Sequence, residues 1–280
     1  MDSMTGNRVR CLMVRCGDWE KEMVDQHKLQ SSRYELKHLI EESRARAIRS
    51  YVRMYLAPDH HMKPDQPLGY RVSSLYLDSS KFKLYQQTTA GMRNRFKLRI
   101  RFYDDNPESP AFLEIKRRQN TVILKQRAQV TREAVLRVLK GVAPDPDMLF
   151  DDRWDAKSLN ALHNFCKLRD EIGAVGKTYV AYLREAYVNP ESDHVRITFD
   201  RQLQGGAYEP ETPLKLPPFL ADAGSDLVIL ELKFTDRFPG WMAELVRTFN
   251  LQSISVPKYI DCVDALKELS FLTRDVYSRG

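Results

Sequence analysis

Residues 96–103 read Phe-Lys-Leu-Arg-Ile-Arg-Phe-Tyr and alternate without a break. On a strand, Phe96, Leu98, Ile100 and Phe102 fall on one face, and Lys97, Arg99, Arg101 and Tyr103 on the other. Arg93 and Arg95 extend the basic phase upstream. A period of two excludes a helix here, so the segment belongs to a sheet with one apolar face and one cationic face.

The same phase recurs along the chain. Residues 112–118 set Glu114, Lys116 and Arg118 against Leu113 and Ile115. Residues 122–130 set Lys125, Arg127 and Gln129 against Leu124, Ala128 and Val130. Residues 33–40 set Arg33, Glu35 and Lys37 against Tyr34, Leu36 and Ile40. Residues 195–201 set Arg196, Thr198 and Asp200 against Val195, Ile197 and Phe199; residues 228–234 set Glu231 and Lys233 against Leu230, Leu232 and Phe234. Residues 70–78 and 178–188 are strand-like but less cleanly two-faced, which makes about eight strands. Helical patterns lie between them at 41–56, 79–89, 132–139, 156–168, 241–249 and 260–269, and supply cover for the apolar faces.

An ordinary wet sheet face mixes Thr, Ser, Gln, Glu and Lys. Here it is mostly Arg, Lys and Glu, and like charges on neighbouring strands repel. Stability alone does not favour that choice; a multiply charged anion with a metal does. The formal net charge of +6, from 44 basic and 38 acidic residues, is too small to make the point by itself.

With 42% hydrophobic residues over 280 positions, the chain is too apolar for disorder and long enough for a large core. No apolar run approaches the ~18–20 residues of a membrane helix, and the first residues hold only a three-residue apolar patch, Leu12–Val14. Cys11, Cys16, Cys166 and Cys262 lack Cys-x-x-Cys spacing, which fits reduced thiols and a cytoplasmic setting. His60 and His61 lie in a loop between Pro58 and Pro64, without zinc spacing. The expected organisation is an N-terminal tail over 1–25 with one short helix from Asp18, a single domain over 26–275, and a tail over 276–280. The Gly- and Pro-rich stretch 205–218 is too short to mark a boundary.

Gly173 to Thr178 imitates the end of a phosphate-binding loop, but Glu171 stands where the first Gly belongs. The segment follows a helix and opens a strand, the reverse of that motif's context; a helix C-cap explains the glycines. Asp78, just before Ser79 and Ser80, reads as a helix cap. More informative are three Glu-x-Lys units, Glu35/Lys37, Glu114/Lys116 and Glu231/Lys233, each placing a carboxylate beside an ammonium on one face. Exposed, such pairs are worth little. Repeated on basic-faced strands, they suggest carboxylates for Mg²⁺ or Mn²⁺ and cations for phosphate.

The ordered segments RYELK, SSLYLD, KLRIRFY, LEIKRR, LKQRAQV, YLREAY, LELKF and PKY resemble the polyphosphate-polymerase (VTC) domain of the triphosphate tunnel metalloenzyme superfamily. The resemblance runs from about Arg33 to Asp264. It implies an α+β fold: an eight-stranded antiparallel closed barrel with a charged interior and helices packed outside. It implies a metal-dependent enzyme that transfers the γ-phosphoryl group of ATP to growing polyphosphate. Position by position it suggests Lys37, Arg99, Arg101, Lys116, Lys125, Arg184 and Lys258 as phosphate ligands, with Glu231 as principal metal carboxylate and Glu35 and Glu114 as secondary ones. Lys97, Arg118, Arg127, Lys233 and Arg71 are further candidate liners. Of these, Arg99, Arg101, Lys116, Lys125 and Glu231 carry the expected chemistry. Arg33, where the superfamily often has Glu, is closer to the VTC branch.

Two alternatives stay open from sequence: a tripolyphosphatase or nucleoside triphosphatase, and a non-catalytic polyanion binder. RNA is disfavoured, because Phe96 and Phe102 lie opposite the arginines and only Tyr103 joins them. The expected partners are ATP and polyphosphate, not nucleic acid, with room for a membrane partner; the sequence does not set the oligomeric state.

Overall fold

The computed structural model describes residues 33–66, 68–120, 122–151 and 155–277, with backbone only for 33, 192, 193 and 271–277. The expected tail over 1–25 lies outside the described residues, as do positions 278–280 of the tail expected over 276–280; positions 276 and 277 end the last helix.

All eight expected strands form. They are β1 (Arg33–Ile40), β3 (Tyr70–Asp78), β4 (Asn94–Phe102), β5 (Ala111–Gln119), β6 (Val122–Val130), β7 (Val175–Asn189), β8 (Ser192–Ala207) and β10 (Val228–Thr235). Two-residue strands β2 (Ala57–Pro58) and β9 (Ala221–Asp222) pair with β7 and β8. The ten strands make one antiparallel sheet in the order β1-β10-β8-β7-β3-β4-β5-β6.

The expected closed barrel is corrected by this order: among the described residues no ladder joins β1 to β6. Loops occupy both edges instead. Ile254 N–H donates to the Lys37 carbonyl on β1 (2.8 Å), and Phe150 N–H donates to the Gln129 carbonyl on β6 (3.1 Å). Covering edge groups in this way is a common alternative to pairing them. The sheet still curls far enough for Lys116 Nζ on β5 to reach Glu35 Oε2 on β1 at 2.9 Å.

Six helices accompany the sheet among the described residues: α1 (Glu42–Val52), α2 (Lys83–Thr89), α3 (Arg132–Leu139), α4 (Ala156–Glu171), α5 (Gly240–Thr248) and α6 (Lys258–Tyr277). Local chemistry sets several ends. Thr131 caps α3 by accepting from Ala134 N–H (3.1 Å), and Asp155 caps α4 by accepting from Ser158 N–H (2.6 Å); each cap is worth about 1 kcal/mol. The helix after Asp78 starts only at Lys83, with Phe82 at its cap position, so Asp78 is not the cap residue that the sequence suggests; its carboxylate nonetheless accepts from the backbone N–H of Ser79, Leu84 and Tyr85 and from Tyr259 Oη–H. Gly173 has φ +57 just after α4, in keeping with a helix stop and not a phosphate loop.

The apolar phases sort into three cores. Leu98, Ile100, Phe102, Leu113 and Ala128 pack beneath α3 and α4. Ile197, Phe199, Leu230 and Leu232 pack beneath α1 and α5. Both cores lie on the outer face, as the alternation requires. The third does not. Val72, Tyr76, Val180, Tyr182 and Ile229 share strand phase with the inward residues Ser74, Arg184 and Glu231, and they pack against Val256, Tyr259, Ile260 and Val263. The expectation that all helices lie outside is therefore corrected: α6 covers one end of the interior. This also explains why β3 and β7 looked poorly two-faced, since both faces are buried there. Gly205 permits the approach, because a Cβ at that position would stand 2.8 Å from Cys262 Cβ.

On the outer face a charged clamp ties α1 to the sheet. Glu185 on β7, 1% exposed, receives Arg49 from α1 and Arg201 Nη1 from β8 (3.0 Å), and Arg201 also grips Glu42. Breaking such a buried pair costs roughly 3–5 kcal/mol.

Candidate functional site

The inward faces of β1, β10, β8 and β7 meet at Glu231. Its Oε1 lies 2.7 Å from Lys258 Nζ and 3.5 Å from Lys37 Nζ; its Oε2 lies 2.5 Å from Lys233 Nζ and 3.3 Å from Arg184 Nη2. Asp200, fully buried, takes a two-pronged contact from Arg184 (2.7 and 2.6 Å) and lies 2.6 Å from Lys258. Glu35 Oε1 lies 3.3 Å from Lys37, while its other oxygen meets Lys116. Five cations thus share three carboxylates.

A second centre forms on β4, β5 and β6. Register explains it: Arg99 faces Glu114 across one ladder and Glu114 faces Arg127 across the next. Glu114, 1% exposed, has Arg99 at 2.6 Å, Lys125 at 2.7 Å, Arg127 at 3.4 Å and Arg101 at 4.0 Å. Tyrosines support the arginines: Tyr76 Oη accepts from Arg99 (3.1 Å) and Tyr182 Oη accepts from Arg101 (3.3 Å).

Burial works against every carboxylate charge here, yet the cations win. Glu231 and Glu114 are held well below the ordinary carboxylate range, the former by Lys233, Lys258, Lys37 and Arg184, the latter by Arg99, Arg101 and Lys125. Glu35 and Asp200 are lowered in the same way. Among the lysines, burial pulls Lys233 down to about 7, and Lys97 and Lys125 down to about 8. Lys97 faces Lys37 and Lys116 and has no ion pair among the described residues. Lys258 goes the other way: Asp200 and Glu231 more than offset its burial and raise it.

The structure therefore brings Lys37, Lys97, Arg99, Arg101, Lys116, Lys125, Arg127, Arg184, Lys233 and Lys258 to one face with Glu35, Glu114 and Glu231. Arg118 shares the phase but stays exposed at the strand end, donating to the Asn120 carbonyl (2.8 Å). Arg71 is exposed and out of phase with Tyr70 and Val72, so it does not line the interior. Asp200 is the main residue passed over as a site member; its phase with Arg196 and Thr198 was the signal. Tyr76 and Tyr182 were hidden inside strands that looked apolar on both faces.

The donor set suits a hard divalent cation better near Glu231 than near Glu114. Glu231 and Glu35 share the single ammonium of Lys37, so two oxygen donors already converge on one positive charge. Each of Glu231 and Glu114 has four cations against it, but Glu231 has a second carboxylate on one of them and Glu114 has none. Among the described residues, the one Asp/His group with metal-like spacing is Asp59, His60 and His61, and there Asp59 Oδ2 is taken by Arg196 at 2.6 Å.

The site as a whole is a curled antiparallel sheet whose inner face is given over to basic and acidic groups, with a helix across one end. The chain belongs to the VTC domain family: the sequence model of the VTC domain matches residues 32–267. Among solved structures, one from Bacillus halodurans described as a "putative adenylate cyclase" is similar at 11% identity and TM-score 0.44, covering 80% of this chain and 95% of its own. Another from Vibrio parahaemolyticus with the same description is similar at 11% identity and TM-score 0.41, covering 82% and 97%. No curated protein matches the chain in sequence. No helix among the described residues is long and apolar enough to cross a membrane.

Proposed function

We propose that this chain is a divalent-metal-dependent polyphosphate polymerase that moves the γ-phosphoryl group of ATP onto a growing polyphosphate chain. Membership of the VTC family supports this reading. The observation that carries it is the excess of cations in the interior: Glu231 and Glu114 are each met by four, Asp200 by Arg184 and Lys258, and Glu35 by Lys37 and Lys116, which leaves the face positive overall and suited to a chain of phosphates. A terminal phosphate acceptor is already ionised and needs no base.

The residues then divide the work. Arg99, Arg101, Lys116 and Lys125 clamp non-bridging oxygens, and in-line transfer gains most from such positioning and charge. Arg184 and Lys258 hold the phosphates on the opposite wall, oriented by Asp200. Lys37, Lys97, Arg127 and Lys233 supply further charge along the path, with Arg118 at its exposed end. Glu231, with Glu35, would hold Mg²⁺ or Mn²⁺; the ion would offset charge on the phosphate oxygens when bound. Glu114 aligns the two arginines. The buried free thiols Cys166 and Cys262 fit a reducing, cytoplasmic setting.

The test is purified protein with ATP and Mn²⁺, products resolved on a gel. A phosphate ladder is the expected result. Free phosphate without a ladder would make the protein a triphosphatase, and neither product would make it a binder.

A further inference from the structure

Three strands give the interior a direction. Tyr76 on β3 stacks on Tyr259 of α6 (4.9 Å, 12°), Leu203 on β8 packs with α6, and Lys97 on β4 feels Asp261 of α6. Tyr70, Arg196 and Tyr103 lie at the other ends of the same three strands, about six residues or ~20 Å away along each. That far end is a rim of rings. His61 stacks on Tyr103 (5.5 Å, 20°) and meets Tyr70 at 5.3 Å; Tyr103 meets Phe112 edge-on at 5.8 Å. His60 lies 3.8 Å from His61, with its side chain 80% exposed.

Cations are set between the rings. Arg127 lies 3.6 Å over Phe112 and 3.4 Å from Glu114, so it links the rim to the inner charge. Arg196 donates to Tyr70 Oη (3.2 Å) and pairs with Asp59, whose carboxylate also accepts from His61 N–H (2.9 Å). Asp59 is buried, so the His60–His61 turn is anchored and not a loose loop. Inorganic phosphate has no use for rings. A ligand with phosphates at one end and an aromatic plane at the other does.

We infer that this rim seats the nucleobase of a nucleoside triphosphate whose phosphates run inward past Arg127 toward Arg101 and Lys125. The inference rests on the phosphoryl-transfer reading above and adds to it the substrate's non-phosphate half. Stacking tolerates any base, so the rim separates nucleotides from bare phosphate chains without strong preference among purines.

Calorimetry with a β,γ-imido ATP analogue and with inorganic tripolyphosphate tests this on the wild type, Tyr103→Ala and His61→Ala. The expected result is nucleotide affinity lowered on the order of tenfold in each variant, with tripolyphosphate affinity within about twofold of wild type. Retained tripolyphosphate binding also certifies that the variants fold. Equal loss for both ligands, or no loss for either, overturns the base seat while leaving the phosphate site intact. Wild-type protein that binds neither ligand overturns the underlying reading as well. Photolabelling of the unaltered protein with 8-azido-ATP gives an independent readout. Label on peptides spanning 59–70 or 102–112 supports the seat; label confined to other segments overturns it.

Discussion

Lys258 Nζ stands 2.7 Å from Glu231 Oε1, joining the first residue of α6 to the middle of β10. The same ammonium is 2.6 Å from Asp200, so one lysine holds two buried carboxylates together. Lys258→Met therefore leaves Asp200 and Glu231 facing each other with too little positive charge. The expected loss at pH 7 is about 3–5 kcal/mol. In the variant both carboxyls titrate higher than in the wild type, so the native state gains protons as pH falls. The deficit should then shrink toward pH 5, as urea unfolding at the two pH values would show. A deficit independent of pH would mean that Lys258 acts by packing alone.

Glu231→Gln keeps the shape and removes the charge. Metal-dependent turnover should fall at least about a hundredfold, while tripolyphosphate binding without metal survives, since the variant loses negative charge. Steady-state rates across a Mn²⁺ titration check this. Unchanged activity with an unchanged metal requirement would remove Glu231 from its assigned role.

Lys97 is a desolvated cation facing other cations, with its value at about 8 against the ordinary 10.5. Between those two values the unfolded chain binds more protons than the native one, so Lys97 makes the unliganded fold gain stability as pH rises from 8. Ligand binding runs the opposite way, because the phosphate needs the charged form. Tripolyphosphate binding at pH 8.5 should accordingly take up protons, measurable by calorimetry in buffers of different ionisation enthalpy. Lys97→Met should raise the melting temperature at pH 7 by about 2–4 °C per kcal/mol of relieved strain and weaken tripolyphosphate about tenfold. A lower melting temperature would contradict the first half of this account.

Asp78→Ala removes the acceptor shared by three backbone N–H groups and the Tyr259 hydroxyl. The expected cost is about 2–4 kcal/mol. Amide exchange should quicken first at Leu84 and Tyr85, where α2 begins. Uniform quickening across the domain would point to a global and not a local role.

Much of this was legible because a strand repeats every two residues. Once Arg99 and Arg101 fixed the phase of β4, the same rule put Glu114, Lys125 and Arg127 on the charged faces of β5 and β6; that Arg99, Glu114 and Arg127 stand opposite one another comes from the ladders, which strand period does not encode. Nor does strand period encode where a helix docks. The start of α6 lies at Lys258, two residues earlier than its apolar pattern suggests, because Lys258 is satisfied by residues of β8 and β10 far away in sequence. Asp200 was hidden for the same reason: alone on its strand it looks like any polar residue, and only Arg184 and Lys258 give it a role. Sheet closure was equally unreadable, since it depends on loops 148–150 and 252–256 taking the edges.

Those covered edges leave one joint unlike the rest. Seven neighbouring strand pairs are held by ladders that open only by losing several hydrogen bonds together. Between β1 and β5 the curl is spanned by Lys116 and Glu35, an ion pair whose lysine side chain is 34% exposed. Across that seam the curl is therefore spanned by side-chain charge, where the strand neighbours elsewhere in the sheet are joined by backbone hydrogen bonds.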